Sequence, residues 1–157
     1  MTLRHTHIGV IGAMAEEVEH LHTHLGDESI TERAGRTFHS GVLAGQRVTL
    51  VKSGIGKVAA AVTAVTLIRE FGVDAVVFTG IAGALADDLA IGDVVVATEL
   101  IQHDLQGPPT MFARGEIPLR GVVELPTDPG LTDAARDAAV DFVTSGLGAV
   151  ITADGLA

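Results

Sequence analysis

The sequence predicts an α/β fold, a twisted parallel or mixed sheet with helices on its faces. Three observations point there: apolar β-branched runs alternating with Ala-rich helical segments, Gly-rich turns at the ends of several runs, and a composition poor in aromatics. Hydrophobic residues make up 47% of the chain and aromatics 3%, with no Trp or Tyr, so Ala, Val, Leu and Ile must fill the interior. A chain of 157 residues buries roughly 70% of the surface it would expose unfolded, enough for one core.

His7 to Ile11 is a short β-branched run closed by Gly12, the first strand. In Ala15 to Leu25, Val18, Leu21 and Leu25 recur at helical spacing, Glu16 and Glu17 stand in the first turn and Gly26 follows the end, which predicts a helix. Phe38 to Leu43 and Arg47 to Val51 flank Ala44-Gly45-Gln46 as a hairpin. KSGIGK (Lys52 to Lys57) then leads into an Ala- and Leu-rich helix, Val58 to Phe71, closed by Gly72. Asp74 to Thr79 is almost wholly apolar, as in a strand covered on both faces, and runs into GIAGAL, Gly80 to Leu85. Asp93 to Ile101 reads as another strand. Gln102 to Pro126 holds four of the five prolines without periodicity and reads as a long loop. An Asp-rich helix, Leu131 to Val143, follows the turn Asp128-Pro129-Gly130, and Ala149 to Thr152 opens a last strand.

Composition also narrows the partners. A formal net charge of −10 and an isoelectric point near 4.9 oppose a phosphate backbone, so nucleic acid is not expected. Without Cys there is neither a disulfide nor a thiolate metal site. No run approaches the roughly 20 apolar residues that span a bilayer, and the start lacks a leader pattern. A cytoplasmic protein without membrane contact is the expectation.

Sheets of this kind bind ligands beyond the carboxyl ends of their strands, where IGAMAEE, KSGIGK and TGIAGAL fall. Each turn by itself is also an ordinary turn former. Neither a GxGxxG nor a Walker pattern is present, which removes the main support for a dinucleotide or P-loop site. Taken in order, IGAMAEEV, KSGIGKVAAA, FTGIAGAL, IGDVVVAT and QHD resemble the 5'-methylthioadenosine/S-adenosylhomocysteine nucleosidases of the nucleoside phosphorylase superfamily, from about Ile8 to the last residue. The resemblance implies a three-layer, nucleoside phosphorylase-like sandwich. It also implies hydrolysis of the adenine–ribose bond of methylthioadenosine or S-adenosylhomocysteine in methionine salvage, with no cofactor or metal.

The resemblance places the water-activating glutamate on Glu17. A carboxylate beside the anomeric carbon orients water, takes its proton and stabilises an oxocarbenium-like transition state. The competing reading is a first-turn Glu that complements a helix N-terminus, like Glu16. By the same resemblance, Ala82 and Gly83 lie along the nucleoside and Met14, Ile55 and Ile81 line its pocket, Ile81 replacing a hydroxyl residue of many relatives. Met111, Phe112 and Pro118 match a loop that family homodimers insert into the neighbour's site, local packing being the alternative. Asp154, Leu156 and Ala157 match an adenine-side segment.

The family pattern continues through segments that hold the ribose hydroxyls and protonate adenine, and these have no counterpart before Ala157. The expectation is therefore one domain over 1–157 that lacks the last third of the family fold, with turnover below about one-hundredth of a complete relative's, since a general acid contributes about 10² to 10⁴ in rate. A non-catalytic remnant or split-enzyme fragment is the reading from another class. A purine nucleoside phosphorylase is the nearest enzymatic one, disfavoured because Glu17 would repel phosphate and the first turn holds no Arg. His20 and His24 share a helical face with Glu16 or Glu17, a spacing that suits zinc, but a solvated helix face is the ordinary interpretation.

Overall fold

The computed structural model describes residues 4–108, 110–145 and, for the backbone alone, 150–152. These fall into two compact units, Arg4–Gly83 and the residues from Ala84 onward. The first holds β1 (His7–Gly12), α1 (Glu19–His22), β2 (Gly26–Arg33), β3 (Arg36–Leu43), β4 (Gln46–Lys52), α2 (Lys57–Glu70) and β5 (Ala75–Phe78). Its sheet is mixed, in the order β2-β3-β4-β1-β5: β1 runs parallel to β4 and β5, whereas β3 runs antiparallel to β2 and β4. All of β1 is buried, which is why it reads as a continuous apolar run. Ile11, Phe38, Val51, Leu67 and Val73 form the core, with Phe71 stacked on Phe38 at 4.5 Å between ring centroids. The helix α2 packs so closely on β1 that a Cβ on Gly9 would stand 2.9 Å from Leu67 Cδ1.

The predicted helix over Ala15 to Leu25 is only partly realised. Turn hydrogen bonds run from Val18 N–H to Ala15 C=O through Leu25 N–H to His22 C=O, but regular α-helix is confined to Glu19–His22. Competition for one acceptor ends it: Thr23 Oγ1 and the His24 ring both bond the His20 carbonyl at 2.8 Å, and His24 N–H turns to Leu21 C=O. Gly26, expected as a helix stop, instead opens β2. The hairpin β3–β4 closes on two residues, Ala44 and Gly45, at φ 50° and 82°, and the strand missed by sequence reasoning, β2, joins β3 through the same Ala-Gly pair at 34 and 35, with φ 47° and 70°. β5 is at the edge of the sheet and leaves Phe78 60% exposed, so the expectation that both its faces are covered does not hold within the described residues.

The second unit divides the predicted strand Asp93 to Ile101 in two. β6 (Val94–Val96) and β7 (Glu99–Ile101) enter different two-stranded pairs, β6 with β9 (Val150–Thr152) in parallel and β7 with β8 (Glu124–Pro126) antiparallel. The predicted long loop therefore ends in a strand. Between β8 and β9 lies α3 (Pro129–Thr144), whose first turn includes the Pro129 and Gly130 read as a turn, because Asp128 caps it by accepting Leu131 N–H at 3.0 Å. Among the described residues no helix is long and apolar enough to cross a membrane.

Candidate active site

The parallel strands β4, β1 and β5 end side by side in the first unit, and their turns are laced together. Ser53 N–H donates to Gly12 C=O at 2.9 Å and Thr79 N–H to Ile11 C=O at 3.0 Å. Glu17 spans two of these turns. Its Oε2 accepts Ala13 N–H at 2.5 Å and Met14 N–H at 2.9 Å, and its Oε1 accepts Ile81 N–H at 3.1 Å across the strand ends. Two glycines make room: a Cβ on Gly12 would stand 2.9 Å from Glu17 Cβ, and one on Gly80 2.7 Å from Glu17 Oε1.

A carboxylate offers about four lone-pair sites, so three N–H donors leave one for a water. The same donors, Met14 foremost and then Ile81, hold the Glu17 carboxyl below the usual carboxylate range against the opposing effect of its partial burial. None of the three belongs to α1, which begins only at Glu19, so the carboxylate does not complement that helix's N-terminus.

Of the sequence-selected residues of this unit, Met14 and Ile81 bond Glu17 directly. Met14 and Ile81 supply the N–H groups described, a contribution their apolar side chains gave no hint of, while Ala82 and Gly83 continue the turn after Ile81. Ile55 stands exposed in the turn after β4, and the side chains of Met14 and Ile81 are exposed too. Ala13, Gly12 and Gly80 were not singled out individually; the glycines that immediately precede each donor turn are the signal that would have found them. A cavity of about 790 Å³ opens nearby, walled by Val18, His22, Arg36, His39 and, from the KSGIGK turn, Lys52 and Ser53 among others, but neither Glu17 nor the predicted pocket residues Met14, Ile55, Ile81, Ala82 and Gly83 line it. Hydrogen-bond geometry, not enclosure, therefore marks Glu17.

In the second unit Met111 and Pro118 are exposed, while the Phe112 ring lies over Gly107, where an added Cβ would overlap it. Met111 N–H bonds Pro108 C=O at 2.8 Å and Ile117 N–H bonds Val122 C=O at 2.8 Å, so this segment folds upon itself. Asp154, Leu156 and Ala157 lie outside the described residues. The suggested zinc pair fares differently: the His20 and His24 rings meet at a tilt of 56° with centroids 4.7 Å apart, and His24 Nδ1 is engaged by the His20 carbonyl.

A mixed sheet whose parallel strand ends present Gly-rich turns around a carboxylate defines a nucleoside phosphorylase-like protein, and the phosphorylase superfamily's sequence model matches residues 7–156: the chain belongs to that superfamily. More particularly, it is 42% identical over 95% of its length to a 5'-methylthioadenosine/S-adenosylhomocysteine nucleosidase of Chromohalobacter salexigens, of which it covers 61%. It is 40% identical to that of Shewanella piezotolerans, with 95% of this chain and 62% of the relative covered. The nucleosidase of Neisseria meningitidis in complex with methylthio-immucillin-A superposes with a TM-score of 0.86 at 37% identity, over 94% of this chain and 62% of that one. The Colwellia psychrerythraea enzyme in complex with adenine gives 0.85 at 38% identity, over 97% and 62%. The chain thus spans about three-fifths of the length of these relatives.

Proposed function

We propose that this chain carries the water-activating part of a 5'-methylthioadenosine/S-adenosylhomocysteine nucleosidase acting in methionine salvage in the cytoplasm. The observation that carries the reading is Glu17, fixed by the N–H groups of Ala13, Met14 and Ile81 with an acceptor site left for water. Water bound there attacks the anomeric carbon as the bond to adenine breaks. Glu17 takes the water's proton, and the bonding pair leaves with the base. A negative charge at this point steadies the oxocarbenium-like centre and repels phosphate, which favours water as nucleophile. Met14, Ile55, Ile81, Ala82 and Gly83 line the nucleoside side. In a homodimer, Met111, Phe112 and Pro118 cover the alkylthio group of the neighbouring subunit. The superfamily match, which runs through both compact units, supports reading them as one domain.

The test joins residues 1–157 to the remaining segment of the Chromohalobacter salexigens relative and measures adenine release from methylthioadenosine. Glu17→Gln lowers kcat at least about 10²-fold with KM little changed, because the amide keeps the shape but cannot take the proton. An equal or larger loss with Glu16→Gln sinks the assignment.

A further inference from the structure

Away from Glu17, three side chains far apart in sequence converge. His22 ends α1, Glu28 stands on β2 and His39 on β3. Glu28 Oε1 lies 2.7 Å from His22 Nε2 and 2.5 Å from His39 Nδ1, and the two imidazole centroids are 4.3 Å apart. One ligand atom from each residue falls within 4.8 Å of the other two, and among the described residues this is the group of His, Asp and Glu that does so. The placement depends on the interrupted helix. While the His20 and His24 rings pack against each other at a tilt, His22 turns to the β2–β3 hairpin. Glu28 follows Asp27, at φ 51°, inside the irregularity that shifts the β2–β3 register between Gly26 and Ser29, and the two histidines hold its carboxyl below the usual range, His39 foremost.

We propose that His22, Glu28 and His39 bind one Zn²⁺ ion. Two imidazoles and a carboxylate suit zinc, whereas calcium and magnesium prefer all-oxygen sites. Zinc bonds of about 2.0–2.2 Å at tetrahedral angles set ligand atoms about 3.3 Å apart. From 2.7 and 2.5 Å the hydrogen-bonded pairs need only open by less than about 1 Å, and from within 4.8 Å the remaining pair close by at most about 1.5 Å, within the reach of side-chain rotation. Entry is open: the three side chains are 41%, 30% and 24% exposed, and His22 and His39 wall the 790 Å³ cavity, which has room for water as the fourth ligand. Bound zinc would staple α1 to the β2–β3 hairpin, independently of nucleoside chemistry.

The experiment titrates the untagged 157-residue chain with Zn²⁺ against a chromophoric chelator and with Co²⁺ by its visible d–d absorption, with circular dichroism on every variant. We expect one tight equivalent and tetrahedral Co²⁺ bands. His22→Ala and His39→Ala should each weaken binding by at least about 10-fold, the least that losing even an outer-shell partner costs a metal site. Glu28→Gln, which keeps the carboxylate's shape, should also weaken it and keep the fold. His20→Ala and His24→Ala should bind as the parent does. Zinc held as tightly by folded His39→Ala or Glu28→Gln protein, binding lost in His20→Ala instead, or no Co²⁺ bands would each overturn the proposal and leave a hydrogen-bonded cluster.

Discussion

Gly80 has no side chain to keep a carboxylate away from the strand end. An added Cβ would lie 2.7 Å from Glu17 Oε1 and 3.1 Å from its Cδ, so Gly80→Ala must displace Glu17 from Ile81 N–H or move the turn itself. Overpacking of this kind costs about 1–3 kcal/mol. In the chimera described above, Gly80→Ala should lower kcat by at least about fivefold if that cost falls on the transition state, since each 1.36 kcal/mol of lost transition-state stabilisation is a factor of ten. Gly26→Ala serves as the comparison, because its Cβ would meet only Val42 C=O at an ordinary 3.6 Å. Equal turnover for the two variants would show that Glu17 does not depend on this contact. At the residue scale the sequence was informative about identity and silent about partners. AMAEE singles out a glutamate; that its acceptors are met by Ala13, Met14 and Ile81 required β1 and β5 to pair in register.

At the element scale, the start of β5 is tied to the start of β1 by Asp74. Its carboxylate accepts Thr6 N–H and Thr6 Oγ1–H at 2.9 Å each and His7 N–H at 3.2 Å, while Asp74 N–H returns to His7 C=O at 3.0 Å. Thr6 N–H contributes most to a carboxyl pKa lowered from 3.8 to about 2. A depressed carboxyl stabilises the fold above its unfolded value and loses that contribution as pH falls through its folded value. Urea midpoints of the parent and Asp74→Asn should thus differ by a constant amount near neutral pH and converge between pH 3.8 and about 2. A gap that stays constant down to pH 2 would rule this anchor out. The strands β1, β3, β4 and β5 and the helix α2 were legible because each carries an apolar run next to a turn signal. β2 was not: GDESITER is polar and mostly exposed, held by its ladder to β3 rather than by burial. The helix predicted from Ala15 had the right period, but Thr23 and His24 divert the acceptor that its next turn needed.

For the whole molecule, α2 carries the surface of most consequence. Its buried face holds Thr63, Thr66 and Leu67, the two hydroxyls bonding back to Ala59 and Val62 carbonyls at 2.8 Å, while Val58, Val62 and Val65, at i, i+4 and i+7, face outward. A helix with polar groups inside and valines outside gains by covering that outer face, at about 25 cal/mol per Å² of apolar surface. In the proposed homodimer a second copy covers it, the same patch serving both subunits. Light scattering should find a dimer in dilute solution that Val65→Glu converts to monomer with unchanged circular dichroism. A parent that is monomeric at every concentration would refute the assembly.

By itself the sequence determined what depends on short-range pattern. Its alternation of apolar runs and Ala-rich segments set the α/β class, its Gly-rich turns set where strands end, and its ordered motifs set the superfamily and the glutamate to suspect. What depends on residues distant along the chain was decided only in three dimensions. Strand order, the three N–H donors on Glu17, and the meeting of His22, Glu28 and His39 all join positions whose proximity no local period encodes. The physical reason is range: propensity, turn chemistry and capping act over a few residues, whereas a hydrogen bond from Ile81 to Glu17 exists only after the sheet has paid the chain entropy that brings its strand ends together.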